Sequence, residues 1–316
     1  MIKKSSINTR SGDQRVSVDL QDLLRLSQNG RLLSLSTLRR TSSQAGPHMS
    51  RLLARGMEFA ESRRYQSGDD IRNIDWRVTA RTGRAHTKLF AAEKERRVLL
   101  SVDMQSSMFF ATRGVFKSVQ AAMMMGTLAW SAAAVGDRLG GIIFDGSNLF
   151  ESRPALGKKG VFPFLQRLAT QANFLERRKE SHQPPSAAAM DRAITHLHQI
   201  AKPGSLIFMV SDFRHLTDYA QNLLIEMSFH SDVCLCFIYD TMERELPKND
   251  YFPVKNGMSE LEINTHMQAN LANYHQQFIE RKGKVASLTS HRHIHFIECS
   301  TEEDCLEVLM KHFSKR

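Results

Sequence analysis

Three apolar runs in this chain end in an aspartate: Asp103 in LLSVDMQSS, Asp212 in FMVSDF and Asp240 in CFIYD. Carboxylates and hydroxyls gathered from neighbouring strand ends suit a hard cation such as Mg²⁺, which takes oxygen ligands and keeps part of its water. The stretch DMQSS sets Asp103, Gln105 and Ser107 at alternate positions, and Asp212 joins them from a later run. The same residues would also cap the helix that follows, and spacing alone leaves both roles open. Covalent and phosphate chemistry have less support. No G-x-x-x-x-G-K-[ST], G-x-S-x-G, H-E-x-x-H or G-x-G-x-x-G pattern occurs. A phosphatase- or nuclease-like use of Asp103 and Asp212 would lack a further nucleophile or base, so the chain reads as non-catalytic. His291, His293 and His295 alternate in HRHIHF and would share one face of a strand, a solvated edge rather than a zinc site.

Aspartates at strand ends need strands to carry them. RRVLLSVDM, DRLGGIIFDG, SLIFMVSDF, DVCLCFIYD and HIHFIEC are short apolar runs. Helical patterns lie between and after them, at about 115–135, in PSAAAMDRAITHLHQIAK, at about 218–229, at about 265–283 and from Thr301. Apolar strands alternating with helices mark a parallel sheet covered on both faces. The expected fold is therefore α/β: a doubly wound, mostly parallel, Rossmann-type sheet over residues 99–316. Ligands of such sheets bind outside the carboxyl ends of the strands, where the strand order reverses.

With 41% hydrophobic and 24% charged residues, the composition excludes a fibrous or wholly disordered chain. The net charge of +10 is unevenly placed. Residues 1–100 hold 20 Lys and Arg against 10 Asp and Glu, whereas residues 101–316 hold 23 of each. Residues 1–45 are expected to form a basic arm, partly disordered or helical, broken at Asn29-Gly30. Such an arm suits nucleic acid or an anionic surface. The first 50 residues carry no aromatic residue, which argues against stacking on single strands. The four cysteines are too few for a disulfide framework; Cys234 and Cys236, two apart in a strand, should share a core face. No apolar stretch follows the basic start. The weakly polar run 121–136 is shorter than the roughly 18–20 residues of a bilayer span. The expectation is a buried helix in a soluble, cytoplasmic protein.

Between arm and sheet, residues 46–98 include YQSGDDIRNIDWRVTARTG, with three aspartates, three arginines and one of two tryptophans. Gly68 should turn the chain, and Asp69 or Asp70 should cap a helix from Ile71. Ile71 and Ile74, with Trp76 or Val78, would dock on the sheet. Asp75, Arg72 and Arg81 would then pair with one another or with Glu93 and Glu95. Two roles fit: a clamp joining the arm to the sheet edge, or a partner-binding patch made by Arg72, Asp75, Arg81 and the anchor Trp76.

Two resemblances follow from these residues. Asp-x-Ser-x-Ser after an apolar strand, with a second aspartate after a later strand, resembles the metal-ion-dependent adhesion site of von Willebrand factor A domains. Asp103, Ser107 and Asp212 match it. Gln105 stands where the first serine should be, and Ser186 is the candidate for the family's threonine, so the resemblance implies a degenerate Mg²⁺ site. The run RRYQSGDDIRNIDWRVTARTGRAHTKLFAAEKERRVLLSVDMQSSM (63–108) resembles the signature of the bacterial domain-of-unknown-function family numbered fifty-eight. The resemblance implies a protein-binding adaptor that works with a MoxR-type AAA+ ATPase. Many relatives carry paired N-terminal membrane helices, which this sequence lacks.

Overall fold

The computed structural model describes residues 12–35, 57–66, 68–92, 95–174, 185–247, 251–255, 260–264 and 268–313. The chain divides into two compact units, residues 1–44 with 96–316, and residues 45–95. The larger unit starts with three short helices, α1 (Gly12–Val16), α2 (Leu20–Arg25) and α3 (Ser27–Gly30). The smaller unit is an antiparallel pair, β1 (Met57–Arg64) and β2 (His86–Ala92), with helix α4 (Trp76–Thr82) in the connection.

The larger unit continues through β3 (Arg97–Asp103), α5 (Lys117–Ala134), β4 (Arg138–Phe144), β5 (Leu149–Leu156) and α6 (Lys158–Ala172). There follow α7 (Ala187–Ile200), β6 (Leu206–Ser211), α8 (Asp218–Ser228), β7 (Asp232–Tyr239) and α9 (Thr241–Arg244). A hairpin of β8 (Tyr251–Lys255) and β9 (Glu260–Asn264), then α10 (Gln268–Ser287), β10 (Ile294–Ser300) and α11 (Cys305–Phe313), complete it.

Six of these strands form one sheet in the order β10-β7-β6-β3-β4-β5. Every neighbouring pair is parallel except β4 with β5. Side chains alternate across a strand, so β3 sends Val98, Leu100 and Val102 into one core layer and Leu99 into the other. Helices α5, α6 and α11 cover the first face; α7, α8 and α10 cover the second. Cys234 and Cys236 both lie in the first layer, as their spacing in the strand requires. The antiparallel β5 was not legible from the sequence: its run LFESRPAL is half polar, as suits an edge strand, and it carries Pro154 where a central strand could not. Because the chain goes from β3 to β4 and β5 and only then returns to β6, the strand order reverses between β3 and β6. A crevice there is where the doubly wound topology puts its ligands.

The expected N-terminal arm is in part a packed element. Leu23, Leu26, Leu33 and Leu35 are buried in the first core layer, and Trp130 of α5 donates its Nε1–H to the Leu23 carbonyl at 2.9 Å. Gly30 ends α3 so close to α5 that a Cβ there would lie 2.6 Å from Cβ of Trp130 and 2.7 Å from the Ser131 backbone nitrogen. A free arm would tolerate any residue at this position. Gly30→Val is therefore expected to cost about 1–3 kcal/mol in urea unfolding, the range of overpacked cores; an unchanged midpoint would mean that the segment is not held against α5. Residues 1–11 and 36–45 of the expected arm lie outside the described residues.

The histidine stripe is not formed. The strand begins at Ile294, after His293 has turned through a left-handed φ of 73°, so only His295 of the three belongs to it.

Candidate functional site

Asp103 and Asp212 reach the carboxyl ends of β3 and β6, the two strands that flank the reversal, and both are buried at 1% exposure. Asp103 accepts the Gln105 amide at 2.9 Å on Oδ1 and the Ser211 hydroxyl at 2.6 Å on Oδ2. Gln105 turns its own Oε1 to the backbone N–H of Ser186 at 2.7 Å. Ser186 is the N-cap of α7, its hydroxyl accepting from Ala189, so the 185–186 loop does come to the site. Phe213, next to Asp212, holds a left-handed φ of 50°, an unfavourable conformation for a non-glycine residue.

The centre of the site is a residue that spacing did not single out. Lys117 opens α5 and is fully buried, with Nζ 2.7 Å from Asp212 Oδ2 and 2.6 Å from Glu243 Oε1. Arg214 adds Nε at 3.2 Å from the same Asp212 oxygen and Nη2 at 2.7 Å from the same Glu243 oxygen. Arg281 of α10 lies 3.2 Å from Glu243 Oε2. Three cations and two carboxylates thus interlock. An ammonium at the positive end of a helix is electrostatically unfavourable by itself. Asp212 and Glu243 offset that cost, and either left alone would be a buried charge.

The two aspartates are driven apart in acidity. Burial, then the neighbouring charge of Asp212, raise Asp103 to about 7 against the hydrogen bonds from Ser211 and Gln105. Burial would raise Asp212 too, but Lys117 and Arg214 outweigh it and hold that carboxyl well below its usual range. Asp240, the third strand-end aspartate, serves the fold: it accepts from Thr112 Oγ1 at 2.6 Å, Thr301 Oγ1 at 2.9 Å and the Met242 amide at 3.0 Å.

A divalent ion requires open oxygens. Both oxygens of Asp103, both of Asp212 and the Gln105 carbonyl already accept hydrogen bonds, and Lys117 places a positive charge against Asp212. Ser107 Oγ is the exception, buried without a partner. Among the described residues no group of three His, Cys, Asp or Glu side chains is arranged to hold a metal. As they stand, these side chains do not fit Mg²⁺.

The smaller unit differs from the sequence reading. Ile71–Asn73 is a single 3₁₀ turn capped by Asp70, which accepts from the Arg72 amide at 3.0 Å; Gly68 makes the preceding turn at φ 106°. The helix begins only at Trp76, where Asp75 accepts the Val78 amide at 3.1 Å and the Ser62 hydroxyl at 3.3 Å. The Val78 amide, opposed by burial, holds Asp75 below its usual range. Asp75 is thus a cap and not an ion-pair partner of Arg72 or Arg81; among the described residues Arg63 pairs with Asp69 at 2.7 Å, and Glu93, another expected partner, lies outside them. Ile71 and Trp76, expected to dock, are 66% and 68% exposed. Arg72, Arg77, Arg81 and Arg84 are exposed in the same stretch.

Sheet order, helices on both faces and a polar cluster at the reversal define an α/β protein of the doubly wound type. The chain belongs to the family described as protein of unknown function DUF58, whose pattern it matches over residues 61–284. It is 28% identical over 204 residues to the uncharacterised protein Rv1480 of Mycobacterium tuberculosis, covering 64% of this chain and 61% of that protein. The chain thus spans less than two thirds of the curated relatives it matches. Among solved structures it is similar to BatB of Bacteroides thetaiotaomicron, with 12% identity, a TM-score of 0.40, and coverage of 68% of this chain and 96% of that one. It is also similar to a von Willebrand factor type A protein of Catenulispora acidiphila, with 12% identity, a TM-score of 0.31, and coverage of 72% and 44%. No helix among the described residues is long and apolar enough to cross a membrane.

Proposed function

We propose that the protein is a non-catalytic interaction module with a degenerate adhesion-type site, acting beside a MoxR-type AAA+ ATPase. The observation that carries this reading is the saturation of the site at the sheet reversal. Asp212 and Glu243 are locked between Lys117, Arg214 and Arg281, and Asp103 between Ser211 and Gln105. A general base or nucleophile needs a lone pair within reach of substrate, whereas these carboxylates are buried and engaged with groups of the chain. What the site offers outward is Arg214, with 40% of its side chain exposed, a group suited to a carboxylate from a partner. The ATPase as partner rests on the resemblance of residues 63–108.

The exposed Trp76 with its surrounding arginines is the second contact surface in this reading. Large exposed aromatics among arginines are typical interface anchors. Trp76→Ala should leave stability within about 0.5 kcal/mol, as for other surface changes. It should also weaken capture of the ATPase from native lysate by the tagged protein at least about tenfold, the loss of a hot spot. Retained capture by the variant would remove Trp76 from the interface. If the wild-type protein brought down only nuclease-sensitive complexes, the adaptor reading would fall and the basic residues of 1–100 would become the functional centre.

A further inference from the structure

We propose that Lys117 is the resident cation of this site, an ammonium fixed in the chain that occupies Asp212, one of the carboxylates an adhesion-type site would give to a divalent metal. The inference concerns the purified chain and is independent of which partner it serves. Its basis is geometric. The ammonium bridges carboxylates from two different elements, Asp212 after β6 at 2.7 Å and Glu243 of α9 at 2.6 Å. It comes from the first turn of the helix that follows the Asp103–Ser107 loop. Tying α5, which follows β3, to the loop after β6 and to α9 is the structural work a divalent ion would otherwise do. An ammonium offers three donors and no acceptor, and it repels a second cation at the same carboxylates.

Nearby groups agree with a site arranged around an internal charge. Arg214 shares Asp212 Oδ2 and Glu243 Oε1 with the ammonium, Arg281 takes Glu243 Oε2, and Asp212 Oδ1 accepts the Arg214 backbone amide. Gln105, in the position of a hydroxyl ligand, turns its carbonyl to the Ser186 amide. Ser107 keeps a buried hydroxyl without a partner. Of the three cations, Lys117 is the one without exposure, and it alone touches both carboxylates from inside the fold. Replacing Lys117 by serine removes the buried ammonium and puts a hydroxyl on the helix turn that faces Asp212 and Glu243, with Arg214 and Arg281 still beside them.

The test is Mn²⁺ uptake by purified protein, read from the electron paramagnetic resonance of free Mn²⁺ with and without EDTA. Wild type should leave the millimolar Mn²⁺ signal undiminished, and Lys117→Ser should bind one ion per chain. A wild-type chain that takes up one Mn²⁺ and loses it on Asp103→Ala overturns the proposal. So does a folded Lys117→Ser that takes up none, since the ammonium would then not be what excludes the ion. Should that variant not fold, the wild type decides through its ¹⁵N-labelled lysine ammonium signals. A slowly exchanging, buried Nζ resonance unmoved by Mg²⁺ supports the assignment, and its displacement by Mg²⁺ overturns it.

Discussion

Lys117→Met is expected to be the most destabilising single change at this end of the sheet, costing about 3–5 kcal/mol in urea unfolding at neutral pH. Methionine keeps most of the stem's volume, so the loss comes from charge rather than from a cavity. Asp212 and Glu243 would remain buried at 1% and 3% exposure, short of the ammonium they share. Arg214 and Arg281 still touch them, which is why the effect stays within that range. The double variant Lys117→Met with Asp212→Asn should recover part of the loss, because residues in one ionic network are not additive. Lys159→Met, on the exposed side of α6, serves as control and should stay within about 0.5 kcal/mol. If Lys117→Met behaved like that control, the network would not be holding β6, α9 and α5 together.

The second large effect is on pH dependence. Asp103 carries a carboxyl raised to about 7 from an ordinary 3.8, so between those values the folded chain keeps a proton that the unfolded chain has released. Stability therefore falls as pH rises through that window and levels off above about 7. The full span is on the order of 4 kcal/mol at 1.36 kcal/mol per unit. Asp103→Asn cannot titrate. Its side-chain carbonyl still accepts from the Gln105 amide, while its NH₂ meets Ser211 Oγ. Near pH 4 the variant should match wild type within about 1 kcal/mol, the net value of one hydrogen bond. By pH 8 it should be the more stable protein by several kcal/mol. Parallel stability curves for the two proteins across that window would show that Asp103 is ionised in the fold and that the burial argument fails.

Much of this molecule could be read before its structure. The runs around Asp103, Asp212 and Asp240 are strands because short, fully apolar segments next to helical periods can satisfy both faces only inside a covered parallel sheet. That made the doubly wound fold, most of its helices and the placing of Asp103 and Asp212 at strand ends legible. The segment 65–83 was harder. Its isoleucines and tryptophan have helical spacing, but Asp70 and Asp75 each cap a separate turn, so local hydrogen bonds divide the segment and leave Trp76 outside. The edge strand β5 was missed because its run keeps no clean period. Helix α6 was missed although Val161, Phe164, Leu165, Leu168 and Ala172 have helical spacing, because Pro163 among them argues for a break.

Sequence by itself determined the sheet, the placing of carboxylates at its strand ends and the family, since these rest on periods and motifs a few residues long. It carried only a hint of Lys117, the one charged residue between Gly114 and Asp137. What cation those carboxylates meet was decided by the tertiary structure alone. Lys117 lies 95 residues from Asp212 and 126 from Glu243, and only the packing of α5 across the sheet reversal brings the three together. Burial then makes the match of charges obligatory, because an unpaired ion at that depth costs more than the fold can spare.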